Sequence, residues 1–338
     1  MDHEEIYRTY YDGAITYRND DNVNDDNVDD ETYSGLDTVS TTSLETEAGN
    51  FQQLFNRQYH NEGMGNRWEP IDELRQDMWD MFHDVYHKVM GSLHSATIPC
   101  TSPRVLDIGT GNGTWAIEFA DKYPDATVEG IDISPIMPSW VPPNLKFCVS
   151  DFGQDGSFKE SSFDYIHARD LNGSVDRCKF AKDVFTVLAP GGVAEFHEGP
   201  IEFQSIKPLA KGSYMDQWGG FFRAVNEKRR RSFLVTNDGT LRQAMAAAGF
   251  EDITVHEYKI PIGPWGKSKK DKTVGQLALE ALTLDTVGSI LRLAIEDLGW
   301  SEEWTYVFAT RVRNEIFMYS EYNNVYMLRT VVVGKKPK

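Results

Sequence analysis

The sequence predicts an alternating α/β fold built on a mostly parallel sheet. Three observations carry that prediction. Short apolar runs recur from Val105 onward, and helix-patterned stretches separate them. At one junction, "DIGTGNG" (107–113), three glycines stand at alternate positions behind a carboxylate, between an apolar run and a helical one. Strands that alternate with helices form βαβ units, whose strands run parallel.

The elements follow in chain order. Residues 69–91 read as an amphipathic helix, with Leu74, Met78, Met81, Val85 and Val89 on one face. His83 and His87 lie one turn apart on the opposite face, which predicts an exposed or lid-facing pair. Their "HDVYH" spacing is near that of zinc proteases, but no third ligand is evident, so no metal is expected. "PRVLDIG" is a short apolar run suited to a buried parallel strand. "TWAIEFADKYP" is a mostly buried helix stopped by Pro124. Thr127–Ile133, "LKFCVSD", "FDYIHAR" and "GGVAEFHEG" are the next four strands. Helices are expected over "DRCKFAKDVFTVLAPGG" and over "TLRQAMAAAGF", the second stopped by Gly249. "DITVHEYKIPIG" and "VYMLRTVVVGKK" close the series of strands, with a long helical insertion at about 270–321 between them.

The glycine turn joins a strand to a helix. Glycines let a ligand approach the backbone because no Cβ intervenes, and the helix N-terminus offers unpaired N–H groups. Asp132 ends the following strand, nineteen residues past Gly113. A carboxylate there is placed to accept hydrogen bonds from ribose hydroxyls. The dinucleotide fingerprint G-x-G-x-x-G is absent, because Thr114 holds the third glycine's position. The phosphate loop G-x-x-x-x-G-K-[ST] is absent as well. The turn thus meets neither of these two phosphate-binding patterns.

Composition narrows the class. The 338 residues include 40% hydrophobic ones, enough for a sizeable core, and carry a net charge of −18. That charge argues against direct nucleic-acid binding. Cys100, Cys148 and Cys178 suggest neither a disulfide framework nor a zinc cluster. No apolar run approaches the length of a membrane span. Residues 1–48 hold fourteen acidic residues against Arg8 and Arg18, a balance of −12. Such a segment cannot offset its ordering entropy and is expected to be a disordered acidic tail. It reads either as a solubilising tail or as a docking segment for a basic partner. "EKRRRS" (227–232) reads either as a nuclear-import patch or as a solvated helix face.

Asp107 with the G-x-G-x-G turn resembles motif I of class I methyltransferases. More widely, "LDIGTGNGTWAIEFADKYPDATVEGIDISPIMPSWVPPNLKF", "FDYIHARDLNGSVD" and "PIDELRQDMWDMFH" resemble the fungal LaeA-like methyltransferases, over roughly residues 55–335. Met78 departs from the family, which often has arginine there. The resemblance implies a Rossmann-like class I fold, with a seven-stranded, mostly parallel sheet, helices on both faces and a last strand inserted antiparallel. It divides the chain into a tail (1–48), an N-terminal helical lid (49–98) and a catalytic domain (99–338). It implies S-adenosyl-L-methionine as cofactor. Asp107 would hold the methionine end through water, and Gly109, Gly111 and Gly113 would let it pass. Asp132 would take the ribose hydroxyls, with Ile133 beside the adenine. Asp151 would accept the adenine amino group, with Phe152 flanking the ring. Backbone near Arg169 would meet the methionine amino group, although Arg169 could instead pair with a neighbouring acid.

Methyl transfer from a sulfonium rests mainly on positioning. A base is needed only where the nucleophile carries a proton. No catalytic motif is evident. His197 and Glu198, ending a strand on the expected acceptor side, are the general-base candidates, and His167 reads as a satisfied core residue. Two functions fit. One is a regulatory methyltransferase of fungal secondary metabolism and development, nuclear or cytoplasmic, with a velvet-type partner or a protein acceptor. The other is a small-molecule O- or N-methyltransferase of a secondary-metabolite pathway. An apolar, closed acceptor pocket would favour the second.

Overall fold

The computed structural model describes residues 51–60, 68–153, 158–200, 202–229, 232–236 and 239–338. The expected tail (1–48) and Arg230 and Arg231 of the basic run lie outside the described residues. A hairpin of β1 (Phe51–Leu54) and β2 (Arg57–His60) comes first. Its loop residues Phe55 and Asn56 both have positive φ, as a type I′ turn requires. The segment 49–98, expected to be helical, thus also holds two strands. Sequence patterning misses this hairpin because the turn lacks the usual Asn-Gly signal and each strand has only four residues.

Helix α1 (Glu73–Met90) starts at Asp72, whose side chain accepts from the Arg75 N–H, and ends at Gly91 in the left-handed region. It is shorter than the expected 69–91 and its buried face differs. Arg75, Met78, Phe82, His83 and Val85 are buried, whereas Leu74, Met81 and Val89 are only half-buried. His83 is therefore enclosed and only His87 is exposed.

The main sheet has the order β5-β4-β3-β6-β7-β10-β9, from β3 (Arg104–Ile108), β4 (Thr127–Asp132), β5 (Leu145–Val149), β6 (Phe163–Arg169), β7 (Leu188–Glu198), β9 (Glu251–Pro261) and β10 (Val325–Lys335). The first five are parallel to one another, and β10 runs antiparallel to both β7 and β9. An eighth strand, the two-residue β8 (Gln204–Ser205), modifies the expected count of seven. It pairs with Tyr326, which β9 pairs from the other side, so β8 continues the line of β7.

Helix α2 (Thr114–Lys122) covers one face, stacking Trp115 and Phe119 near Tyr165. Helices α3 (Arg177–Val187) and α5 (Thr240–Ala248) cover the other through Phe180, Val184, Leu241 and Met245. A third core joins α1 to α4 (Tyr214–Lys228), α6 (Lys269–Leu284), a π-helical turn (Leu293–Asp297) and α7 (Glu302–Asn323). The insertion is thus helical, as its pattern predicts. Arg57 ties the hairpin to the rest, with hydrogen bonds to Asp72 and to the buried Asp285 after α6.

Candidate active site

A cavity of about 700 Å³ opens at the C-terminal ends of β3, β4 and β6, where open α/β sheets bind ligands. One half is lined by strand ends and backbone: Gly109, Thr110 and Gly111 after β3, Asp132 and Ile133 after β4, Asp151 and Phe152 after β5. The turn can take this path only because Gly109, Gly111 and Gly113 all have positive φ. A Cβ on Gly109 would collide with Leu171, and one on Gly113 with Phe147. Asp132 is buried, accepting from the Gly111 N–H at 3.0 Å and the Ser134 N–H at 2.9 Å. Its carboxylate is thereby fixed at the cavity wall. Asp151 accepts from the Gly153 N–H, and Phe152 packs on Phe158 and Phe180.

Asp107 and Gly113 do not line the cavity. Asp107 lies beneath it, with Oδ2 accepting from the Thr110 hydroxyl and Oδ1 2.7 Å from His167 Nδ1. Burial pushes its carboxyl up to about 6 and drives His167 well below the usual imidazole range. The two hydrogen bonds pin the turn from below. Trp115 stacks on the His167 ring at 3.8 Å. Gly113 is the N-cap of α2.

The general-base expectation is corrected, because neither His197 nor Glu198 reaches this cavity. His197 Nε2 is 2.6 Å from Glu195, deep in the sheet. Glu195 also accepts from the Ser95 and Ala96 N–H groups and the Tyr165 hydroxyl. Burial pushes the Glu195 carboxyl up, but the His197 bond and charge, the Ser95 N–H and the His167 charge together outweigh it and bring it down to about 2. Glu198 points to the opposite face of the strand. There it takes the Arg177 guanidinium at 2.5 Å and the Leu171 N–H, and so fixes the loop after β6. Both residues serve the frame.

The other half of the cavity is aromatic. Trp68, Met78, Phe82, Tyr86, Phe203, Trp218, Phe222, Phe233 and Met327 line it. Trp68, Phe222 and Phe233 form a mutually packed group, with centroids 5.3–6.3 Å apart. These residues escape sequence reading because they come from distant segments and pass for ordinary core. Arg329 carried one signal: a lone charge within an apolar strand. It is buried, donates to Asp170 at 2.6 and 3.0 Å, and lies 3.7 Å from the Tyr86 ring centroid.

Asn112 and Thr114 gain a role from α1. Both donate to Asp80 of α1 at 2.7 Å. Asp80 thus places a carboxylate at the N-terminus of α2, where the helix dipole favours it. Among the described residues no group of His, Cys, Asp or Glu has the arrangement to hold a metal ion.

Residues 81–255, the segment holding this turn and these strands, match the family described as "Methyltransferase domain". The chain belongs to that family. This methyltransferase is 32% identical to "Methyltransferase pytC" of Aspergillus terreus, over 89% of this chain and 93% of the relative. It is 33% identical to "Secondary metabolism regulator LAE1" of Cochliobolus heterostrophus, over 72% and 84%. A solved phosphoethanolamine N-methyltransferase 2 of Haemonchus contortus, in complex with S-adenosylhomocysteine, superposes with a TM-score of 0.46 at 16% identity. That likeness covers 78% of this chain and 58% of the other.

Proposed function

We propose that this methyltransferase takes its methyl group from S-adenosylmethionine and acts as a LaeA-like regulatory enzyme of fungal secondary metabolism. One observation carries the cofactor reading. The α2 N-terminus, where a dinucleotide would seat its pyrophosphate, already faces the Asp80 carboxylate. A second anion there would meet like charge, whereas a phosphate-free nucleoside asks nothing of that helix end. The residues present suit such a cofactor. Asp132 would hold the ribose hydroxyls, Ile133 and Phe152 the adenine faces, and Asp151 the adenine amino group. Asp107, with Thr110, would keep the glycine turn in place for the methionine end. When bound, the cofactor supplies an electrophilic methyl group, and the protein's work is to orient it and exclude water.

The regulatory reading is supported by the LAE1 relative, whose name describes a secondary metabolism regulator. It includes a velvet-type protein partner and a place in the nucleus or cytoplasm. One observation favours a second reading, a small-molecule O- or N-methyltransferase: the aromatic half of the cavity offers a largely apolar wall against which a compact acceptor could pack. The methyltransferase pytC relative is in keeping with it.

Calorimetry should give a binding isotherm for S-adenosylhomocysteine and none for NAD; tight NAD binding with no response to the nucleoside would sink the cofactor reading. Incubating the protein with fungal extract and tritiated S-adenosylmethionine separates the two acceptor readings. Label in protein supports the regulatory one, and label in the organic extract supports the small-molecule one.

A further inference from the structure

Arg169 ends β6 and lines the cavity between its two halves. The buried arginines Arg75, Arg177 and Arg329 each meet a carboxylate, as does the half-buried Arg57. Arg57 meets Asp72 and Asp285, Arg75 meets Glu69 and Asp285, Arg177 meets Glu198, and Arg329 meets Asp170. Arg169 differs from all four. Among the described residues its hydrogen-bonding partner is the His83 ring, with Nη1 3.2 Å and Nη2 3.3 Å from Nδ1. The neighbouring Asp170 gives both carboxylate oxygens to Arg329. A guanidinium has five donors, so most of the Arg169 fork is left for a ligand.

Position says which part of a ligand arrives there. Ile108 of β3 is in register with Ile131 of β4 on one side and with Ala168 of β6 on the other. Asp132 and Arg169 therefore stand one step further at the same level, on the same face, flanking Gly109. Two strand spacings separate them by about 10 Å. That span matches the reach of an extended adenosyl amino acid from its ribose hydroxyls to its carboxylate. We propose that the Arg169 guanidinium binds the carboxylate of the cofactor's methionine end, and that His83 of the lid orients it. The inference rests on the cofactor reading above but assigns a side chain and an atom that reading leaves open.

His83 fits the orienting role. To accept from Arg169 its Nδ1 must be unprotonated, so the ring proton is on Nε2, 3.1 Å from Glu118 of α2. Burial and the adjacent guanidinium both hold His83 below the usual imidazole range, in keeping with a neutral ring. The lid is thus joined to the carboxylate subsite through one hydrogen-bonded ring.

The test is calorimetry with two probes, S-adenosylhomocysteine and its decarboxylated analogue, which differ only in the carboxylate. Arg169→Gln should bind S-adenosylhomocysteine about 10–100-fold more weakly than wild type, the loss of a charge-assisted fork. Its affinity for the decarboxylated analogue should stay near the wild-type value. Arg169→Lys, which keeps the charge without the fork, should fall between. Circular dichroism confirms that each variant is folded. Should Arg169→Gln misfold, the wild type and Arg169→Lys decide: the wild type should prefer the carboxylate-bearing probe, and lysine should narrow that preference. Equal losses for both probes, or no loss for either, would overturn the assignment. A wild type that binds neither probe overturns the cofactor reading itself, and this inference with it.

Discussion

The two halves of the cavity are built in different ways. The nucleoside half is made by consecutive strand ends, and its key contacts run between backbone and near neighbours: Gly111 N–H to Asp132, Ser134 N–H to Asp132, Gly153 N–H to Asp151. The aromatic half is made by side chains from α1, α4, the segment around Phe233 and the start of β10. In the first half, loss of a side chain releases a few backbone N–H groups of the adjoining loops and leaves the sheet beneath in place. In the second, each lining residue is also core. Binding and stability are thus less entangled on the first side than on the second.

The largest expected effect breaks the aromatic half. Phe222 is buried against Trp68, Trp218, Phe221 and Phe233. Phe222→Ala should lower the unfolding free energy by about 3–5 kcal/mol. Denaturant titration measures that loss, and calorimetry should show S-adenosylhomocysteine affinity nearly unchanged. A large fall in nucleoside affinity would mean that the halves are coupled. The converse experiment is Asp132→Ala. Losing a charge-assisted bond of about 1.5–3 kcal/mol should weaken S-adenosylhomocysteine roughly 10–100-fold. Because the carboxylate also serves Gly111 and Ser134, some stability should be lost as well, but the fold should survive by circular dichroism. Tight binding by the folded variant would remove the ribose assignment.

The smallest effect concerns the layer under the nucleoside half. Asp107 is buried, with a folded pKa of about 6 against an ordinary 3.8. A raised carboxyl binds its proton more tightly when folded, so its contribution to stability is full below pH 3.8 and is lost as pH rises through about 6. Glu195 has the opposite sign: brought down to about 2, it contributes above the ordinary 4.5 and loses that contribution as pH falls. Asp107→Asn should remove the first slope and leave the second. Unfolding midpoints between about pH 4 and 7 should therefore fall less steeply, or rise more, in the variant than in wild type. Parallel profiles would show that Asp107 does not titrate in this window.

Much of the fold was legible because it is periodic and local. Apolar runs marked the strands, Gly249 and Pro124 marked helix ends, and the glycine turn with Asp132 nineteen residues on marked the nucleoside half. Each signal needs only neighbours in the chain. The β1–β2 hairpin was missed because Phe55 and Asn56 take positive φ without glycine. His83 was misplaced because a helical wheel assigns one buried face, and α1 also buries His83 against α2 and the end of β6. His197 and Glu198 were misjudged for a related reason. Strand alternation sends them to opposite faces, but which face meets a cavity depends on what packs there.

Sequence alone determined the parallel α/β sheet, the open glycine turn and the carboxylate that ends β4, since backbone sterics and two-residue periodicity act over short distances. Tertiary structure decided the rest. It brought Asp80 to Asn112 and Thr114, and Arg329 to Asp170 and Tyr86. Among the described residues it also gave Arg169 the His83 ring as its hydrogen-bonding partner. The physical reason is that a charge's partner and a ring's neighbours are set by which surfaces exclude water together, and those surfaces come from segments as far apart as α1 and β10.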